Sequence, residues 1–76
     1  VGKIKWYATA KLKDWREHKG YTQADATARF NLETGNDISV STWQQWENGV
    51  LNMQPDQVLE MSKYMRLDYK ELVEQR

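Results

Sequence analysis

The chain has no cysteine and only one proline, one phenylalanine and one histidine among its 76 residues. Without cysteine, neither a disulfide nor a thiolate metal site is available, and the lone imidazole of His18 leaves too few donors for zinc. No apolar run approaches the roughly 20 residues that a bilayer-spanning helix needs, and no secretory signal pattern is present. Excess charge of one sign is missing too, because 11 Lys/Arg balance 11 Asp/Glu. These absences predict a soluble intracellular domain with no membrane partner. Val1 stands where a start methionine would, so a trimmed start or a longer parent chain is expected. Ser41, His18 and a carboxylate are not brought together by any spacing, and no Gly-rich loop offers a concave site. The expectation is a protein that is not an enzyme, with no cofactor and no small-molecule ligand.

Aromatic residues are abundant instead. Four tryptophans and four tyrosines let a short chain bury a large apolar area. The charge is unevenly spread. Residues 1–20 carry six basic against two acidic groups (+4), residues 21–53 one against four (−3), and residues 54–76 four against five (−1). A basic first third is suited to phosphate contacts, whereas the acidic middle is not.

Residues 1–7 are expected as an N-terminal arm ahead of one domain over residues 8–76. The arm is either an extended segment whose Lys3 and Lys5 reach phosphate, or a short strand or tail packing Trp6 and Tyr7 on the domain. A first helix is predicted from about Ala8 to Lys19, with Leu12, Trp15 and Ala8 on its buried stripe and Gly20 as its stop. Thr22 should cap a second helix from Gln23 to about Leu32, with Ala26 and Phe30 inward. Gly35-Asn36-Asp37 signals a turn. Pro55 suits the first turn of a fourth helix whose buried face is expected from Val58, Leu59, Met61, Met65 and Leu67. Asp68 should cap a last helix from Tyr69 to about Glu74. Five helices with short links predict an all-α domain.

The stretch from Ser39 to Gly49, Ser-Val-Ser-Thr-Trp-Gln-Gln-Trp-Glu-Asn-Gly, is the most informative. Ser39 or Ser41 can cap a short helix that Asn48-Gly49 closes. Trp43 and Trp46, three apart, share a face and should bury together. Val40, Ser41, Gln44 and Gln45 turn to other faces. A glutamine amide presents the donor and acceptor that complement the major-groove edge of adenine.

Leu12 to Gln23 and the Trp46-Glu47-Asn48-Gly49 ending resemble the helix-turn-helix domain of the phage repressor and Cro type, the XRE family, over about Ala8 to Val73. The resemblance implies a compact five-helix lambda-repressor-like fold and a sequence-specific transcriptional regulator, expected to be a repressor, with helix 3 in the major groove of double-stranded DNA. It implies backbone contacts by Gln23 and Asn48. Ser39, Val40, Ser41, Thr42, Gln44 and Gln45 fall on its recognition helix, with Val40, Ser41, Gln44 and Gln45 facing base edges. Arg16 and Glu47 match a pair bridging helix 1 to the end of the recognition helix. A homodimer on two half-sites is expected, contacting through Val50, Leu51, Met53 and the last helix, in the cytoplasm at the nucleoid. The turn between helices 2 and 3 is longer than the family pattern and carries Glu33 and Asp37, and the recognition face has no arginine or lysine. These departures motivate an alternative: a protein-binding helix-turn-helix adaptor or inhibitor that does not bind DNA.

Overall fold

Short polar side chains decide where the helices start. In the computed structural model, which describes residues 4–76, the elements in order are β1 (Trp6–Ala8), α1 (Ala10–His18), α2 (Gln23–Thr34), α3 (Val40–Glu47), α4 (Pro55–Met65), α5 (Tyr69–Leu72) and β2 (Val73–Gln75). Lys3 of the expected arm lies outside the described residues. Thr9 accepts from the Lys11 N–H at 3.3 Å, and Thr22 and Asp25 form a reciprocal capping box at α2. Ser39 accepts from Thr42 at 3.1 Å, and Asp68 from Lys70 at 3.0 Å. Each bond satisfies a first-turn N–H that the helix itself cannot. Pro55 opens α4, where its missing N–H loses nothing.

The helix ends follow the same local logic. At α3 the Val50 N–H reaches the Gln45 carbonyl (3.0 Å) and the Gly49 N–H that of Trp46 (3.2 Å), with Gly49 at φ +71°. This double closure turns the chain sharply away from α3. Arg66 closes α4 at φ 56°, the one non-glycine residue in the left-handed region among those described.

The architecture is helical but not purely so. β1 and β2 pair antiparallel, with Trp6 opposite Gln75, Tyr7 opposite Glu74 and Ala8 opposite Val73. The all-α expectation is corrected to five helices with a two-stranded sheet among the described residues. The first helix starts at Ala10, after Ala8 has entered β1, and the last helix stops at Leu72 rather than near Glu74. Thr9 explains both boundaries. Its N–H donates to the Leu72 carbonyl at 2.8 Å, and its hydroxyl is shared between the Glu71 (2.7 Å) and Leu72 (3.1 Å) carbonyls. Carbonyls that would have extended α5 are thus taken, and the β-branched Val73 enters the sheet. Of the two readings of residues 1–7, Trp6 and Tyr7 follow the short strand. β1 also meets the connection after α3, where the Met53 N–H donates to the Trp6 carbonyl at 2.7 Å.

The core lies between α1, α2, α3 and α4. Leu12, Ala26, Phe30, Trp43, Met53, Met61 and Leu72 are fully buried, and Trp46 nearly so. Phe30 is its centre, edge-on to Trp43, Trp46 and Tyr64 with ring centroids 6.0–6.1 Å away. Each buried indole removes roughly 150–250 Å² from water, about 4–6 kcal/mol at 25 cal/mol/Å². Trp15 is half-buried against Tyr64 and Tyr21. Leu59, expected on the buried face of α4, is 56% exposed. The inward stripe is Val58, Met61 and Met65, and Leu59 lies one position, about 100°, off it.

Candidate functional site

The arrangement around α3 is built on one carboxylate. Glu47, whose side chain is 3% exposed, closes the last turn of α3 and faces α1. Arg16 grips it with both forks, Nε to Oε2 at 2.6 Å and Nη2 to Oε1 at 3.1 Å. The Trp43 indole N–H donates to Oε2 at 2.5 Å, and the Gln23 amide donates to Oε1 at 3.2 Å. The remaining Arg16 nitrogen, Nη1, donates to the Tyr21 carbonyl at 2.9 Å, in the turn between α1 and α2. Burial pushes the Glu47 carboxyl up, but the hydrogen bonds from Arg16, Trp43 and Gln23 outweigh it and hold it below the ordinary carboxylate range. Arg16 is raised, chiefly by its hydrogen bonds to Glu47. Three helices and a turn therefore meet at a single charge.

That hub fixes the roll of α3 about its own axis. Trp43, Trp46 and Glu47 face inward. Val40, Ser41, Gln44 and Gln45 are exposed. Ser41, Gln44 and Gln45 make no side-chain hydrogen bond to another described residue, so their polar groups remain open to a partner. Ser39 and Thr42 behave differently. Their hydroxyls lie 3.1 Å apart and Ser39 is occupied as the cap, so both serve the start of α3 first. Asn48 is exposed and its backbone N–H closes the helix on Gln44. Gln23 is half-buried at the start of α2, with one amide proton committed to Glu47 and the other left to donate.

The long turn between α2 and α3 is held by side chains. Asn31 brackets Ile38, donating to its carbonyl at 2.9 Å and accepting from its N–H at 3.0 Å. Asn36 donates to Glu60 on α4 at 3.2 Å. Glu33, expected in this turn, instead lies in the last turn of α2, which runs past the expected end near Leu32 to Thr34, and it lines a cleft with Glu60, Lys63, Tyr64 and Arg66. Asp37 stays exposed.

Several groups at the site escape a reading of local sequence. The tie from Gln23 to Glu47 spans 24 positions, and nothing at either residue signals it. The Trp43–Glu47 bond was legible in principle from its i, i+4 spacing. Arg76 at the far end of the chain stacks on Tyr7 at 4.6 Å and reaches the end of α3 at Gly49. Of the residues expected to form a dimer contact, Val50 is 70% exposed and Leu51 half-buried, whereas Met53, bridged to Trp6 beside β1, is fully buried and has no surface to offer. Tyr69, on the last helix and so among the expected contact residues, joins Leu59, Trp6, Pro55 and Val58 in an exposed apolar groove. Among the described residues no helix is long and apolar enough to cross a membrane, and no cluster of metal-ligating side chains occurs. Comparison with protein-family models, with curated proteins and with solved structures finds no match to this chain.

Proposed function

We propose that the chain is a sequence-specific DNA-binding domain of a transcriptional regulator, acting as a repressor, that presents α3 to the major groove. The observation that carries this reading is the division of α3 into two faces. One is pinned by Trp43, Trp46 and the Glu47 hub, and the other offers Ser41, Gln44 and Gln45 with no side-chain partner among the described residues. A rigidly held helix with free amides fits direct readout of adenine, and the exposed Val40 fits the thymine methyl. Gln23 and Asn48, with the basic groups near the N-terminus, supply backbone contacts. The reading face carries no cation, so affinity per domain is low and a homodimer on two half-sites about one helical turn apart is part of the proposal. Such a protein would work at the nucleoid in the cytoplasm.

The second reading, a protein-binding adaptor on the same fold, is favoured by the −3 balance of residues 21–53. Binding to a pool of random duplexes at two salt concentrations separates the two. Enrichment of an A·T-containing half-site, with affinity falling steeply as salt rises, supports DNA readout. A protein that retains no duplex even at low salt refutes it and leaves the adaptor.

A further inference from the structure

The two-stranded sheet has an outer face that α3 does not explain. In the β1–β2 register, Ala8 and Val73 turn to the core, so Tyr7 and its partner Glu74 turn to the opposite face. Two pairs further out, past Trp6–Gln75 and so on the same face, Lys5 and Arg76 exchange reciprocal backbone bonds, the Lys5 N–H to the Arg76 carbonyl (3.3 Å) and the Arg76 N–H to the Lys5 carbonyl (3.0 Å). All four residues fall within the described part of the chain, and Lys5, Glu74 and Arg76 are exposed. Among the described residues this face therefore carries the cations Lys5 and Arg76 and the anion Glu74, on a chain of zero net charge. Arg76 is held over the Tyr7 ring at 4.6 Å and bonded to Glu74 at 2.8 Å. A methyl group placed on Gly49 would lie 3.8 Å from Arg76 Nη2, so the guanidinium stands directly beside the end of α3.

Position gives these charges a partner. An eight-residue helix is about 12 Å long, close to the width of the major groove at about 12 Å. A helix seated there brings its end near a phosphate strand, and at that end Arg16 is committed to Glu47 whereas Arg76 is exposed. Resting on the DNA-binding reading above, we infer that the β1–β2 sheet is a wing whose Arg76, backed by Tyr7 and flanked by Lys5, clamps the DNA phosphate backbone next to the C-terminal end of α3. Glu74 restrains the clamp, because its carboxylate holds Arg76 and repels phosphate. The planar fork of arginine suits phosphate, and its stacking on Tyr7 reduces the freedom lost on contact.

The test is anisotropy titration of a labelled mixed-sequence duplex over a range of salt, using the full chain and its Arg76→Gln, Arg76→Lys and Glu74→Gln variants. The clamp predicts that Arg76→Gln weakens binding several-fold and lowers the slope of log affinity against log salt by about one. Arg76→Lys should restore most of the slope. Glu74→Gln should move the other way, binding several-fold more tightly. A guanidinium that only stabilises the end of α3 would change thermal stability and leave the salt slope intact. Wild-type binding with unchanged slopes in Arg76→Gln and no tightening in Glu74→Gln overturns the wing and leaves the α3 reading standing. If Arg76→Gln does not fold, Glu74→Gln decides alone. A wild-type chain that binds no duplex removes both.

Discussion

Replacing Glu47 by glutamine is the most informative single change in this molecule. The substitution keeps the shape and one acceptor oxygen but puts an NH₂ group where a second oxygen accepted. In the wild type, Oε2 receives Arg16 Nε (2.6 Å) and the Trp43 indole (2.5 Å), while Oε1 receives Arg16 Nη2 (3.1 Å) and Gln23 (3.2 Å). Whichever way the new amide turns, two donors face a donor. Arg16, only 12% exposed, also loses its counter-charge. Breaking a buried pair in this way costs about 3–5 kcal/mol. A domain of this length has a total stability of roughly 4–11 kcal/mol, so the variant should lose a large fraction of it. Urea unfolding followed by tryptophan fluorescence, with the denaturant slope unchanged, measures the loss. The pH dependence supplies a second readout. Because the Glu47 carboxyl is held below its ordinary value of 4.5, the unfolded chain takes up this proton first as pH falls. The contribution is therefore fully present above about pH 4.5 and disappears as pH drops through the lower, folded value. Glu47→Gln should lack that acid-dependent part of the wild-type curve. A loss below about 1 kcal/mol, the range of exposed pairs, with an unaltered acid profile, would refute the hub.

The remaining expectations concern separate parts of the chain. Gln45→Ala should flatten sequence preference in a duplex-selection experiment, whereas Gln23→Ala should weaken all duplexes alike; equal, sequence-independent losses for both would argue against readout by Gln45. Arg66→Gly should raise stability by about 1 kcal/mol in urea unfolding, since glycine occupies φ 56° without the side-chain clash. Asn31→Ala removes both bonds to Ile38 and should cost about 1–3 kcal/mol, with faster proteolytic nicking near Asp37. Thr9→Val should cost about 1–2 kcal/mol, because the hydroxyl that caps α1 also satisfies the end of α5.

What could be read from the sequence was what depends on neighbouring residues. Thr22 with Asp25, Ser39, Pro55 and Asp68 start helices through contacts within one turn, so the expected starts of α2, α3 and α4 agree with the structure. The spacing of Trp43 and Trp46 likewise implies their common burial. A short strand at Trp6 and Tyr7 was one open reading, but its pairing with β2 was hidden because the two strands are only three residues each and stand at opposite ends of the chain. Tyr69-Lys-Glu-Leu-Val-Glu carries an acceptable helical pattern, and only the capture of the Leu72 carbonyl by Thr9 cuts it short. Leu59 shows the same limit, because hydropathy marks it as apolar but only the neighbouring helices decide which stripe of α4 is covered. The Arg16–Glu47 contact came from family resemblance, and its geometry adds what resemblance did not contain: Gln23 is both a link in that hub and an expected DNA contact.

The pairing of β1 with β2 also bears on the order in which the molecule folds. Lys5 and Arg76 close almost the whole described chain into a ring. Joining the ends of a loop of about 70 residues costs on the order of 4 kcal/mol in chain entropy if it happens first. The step is far less unfavourable once α1 to α4 have docked and brought the ends together. The helices should therefore gather before the sheet, leaving the Lys5 and Thr9 amides, whose acceptors are the Arg76 and Leu72 carbonyls, open until the C-terminal end of the chain arrives. Pulsed hydrogen exchange during refolding would show it: protection of those two amides should lag behind that of α2 and α3, and simultaneous protection would mean that the ring closes at the start.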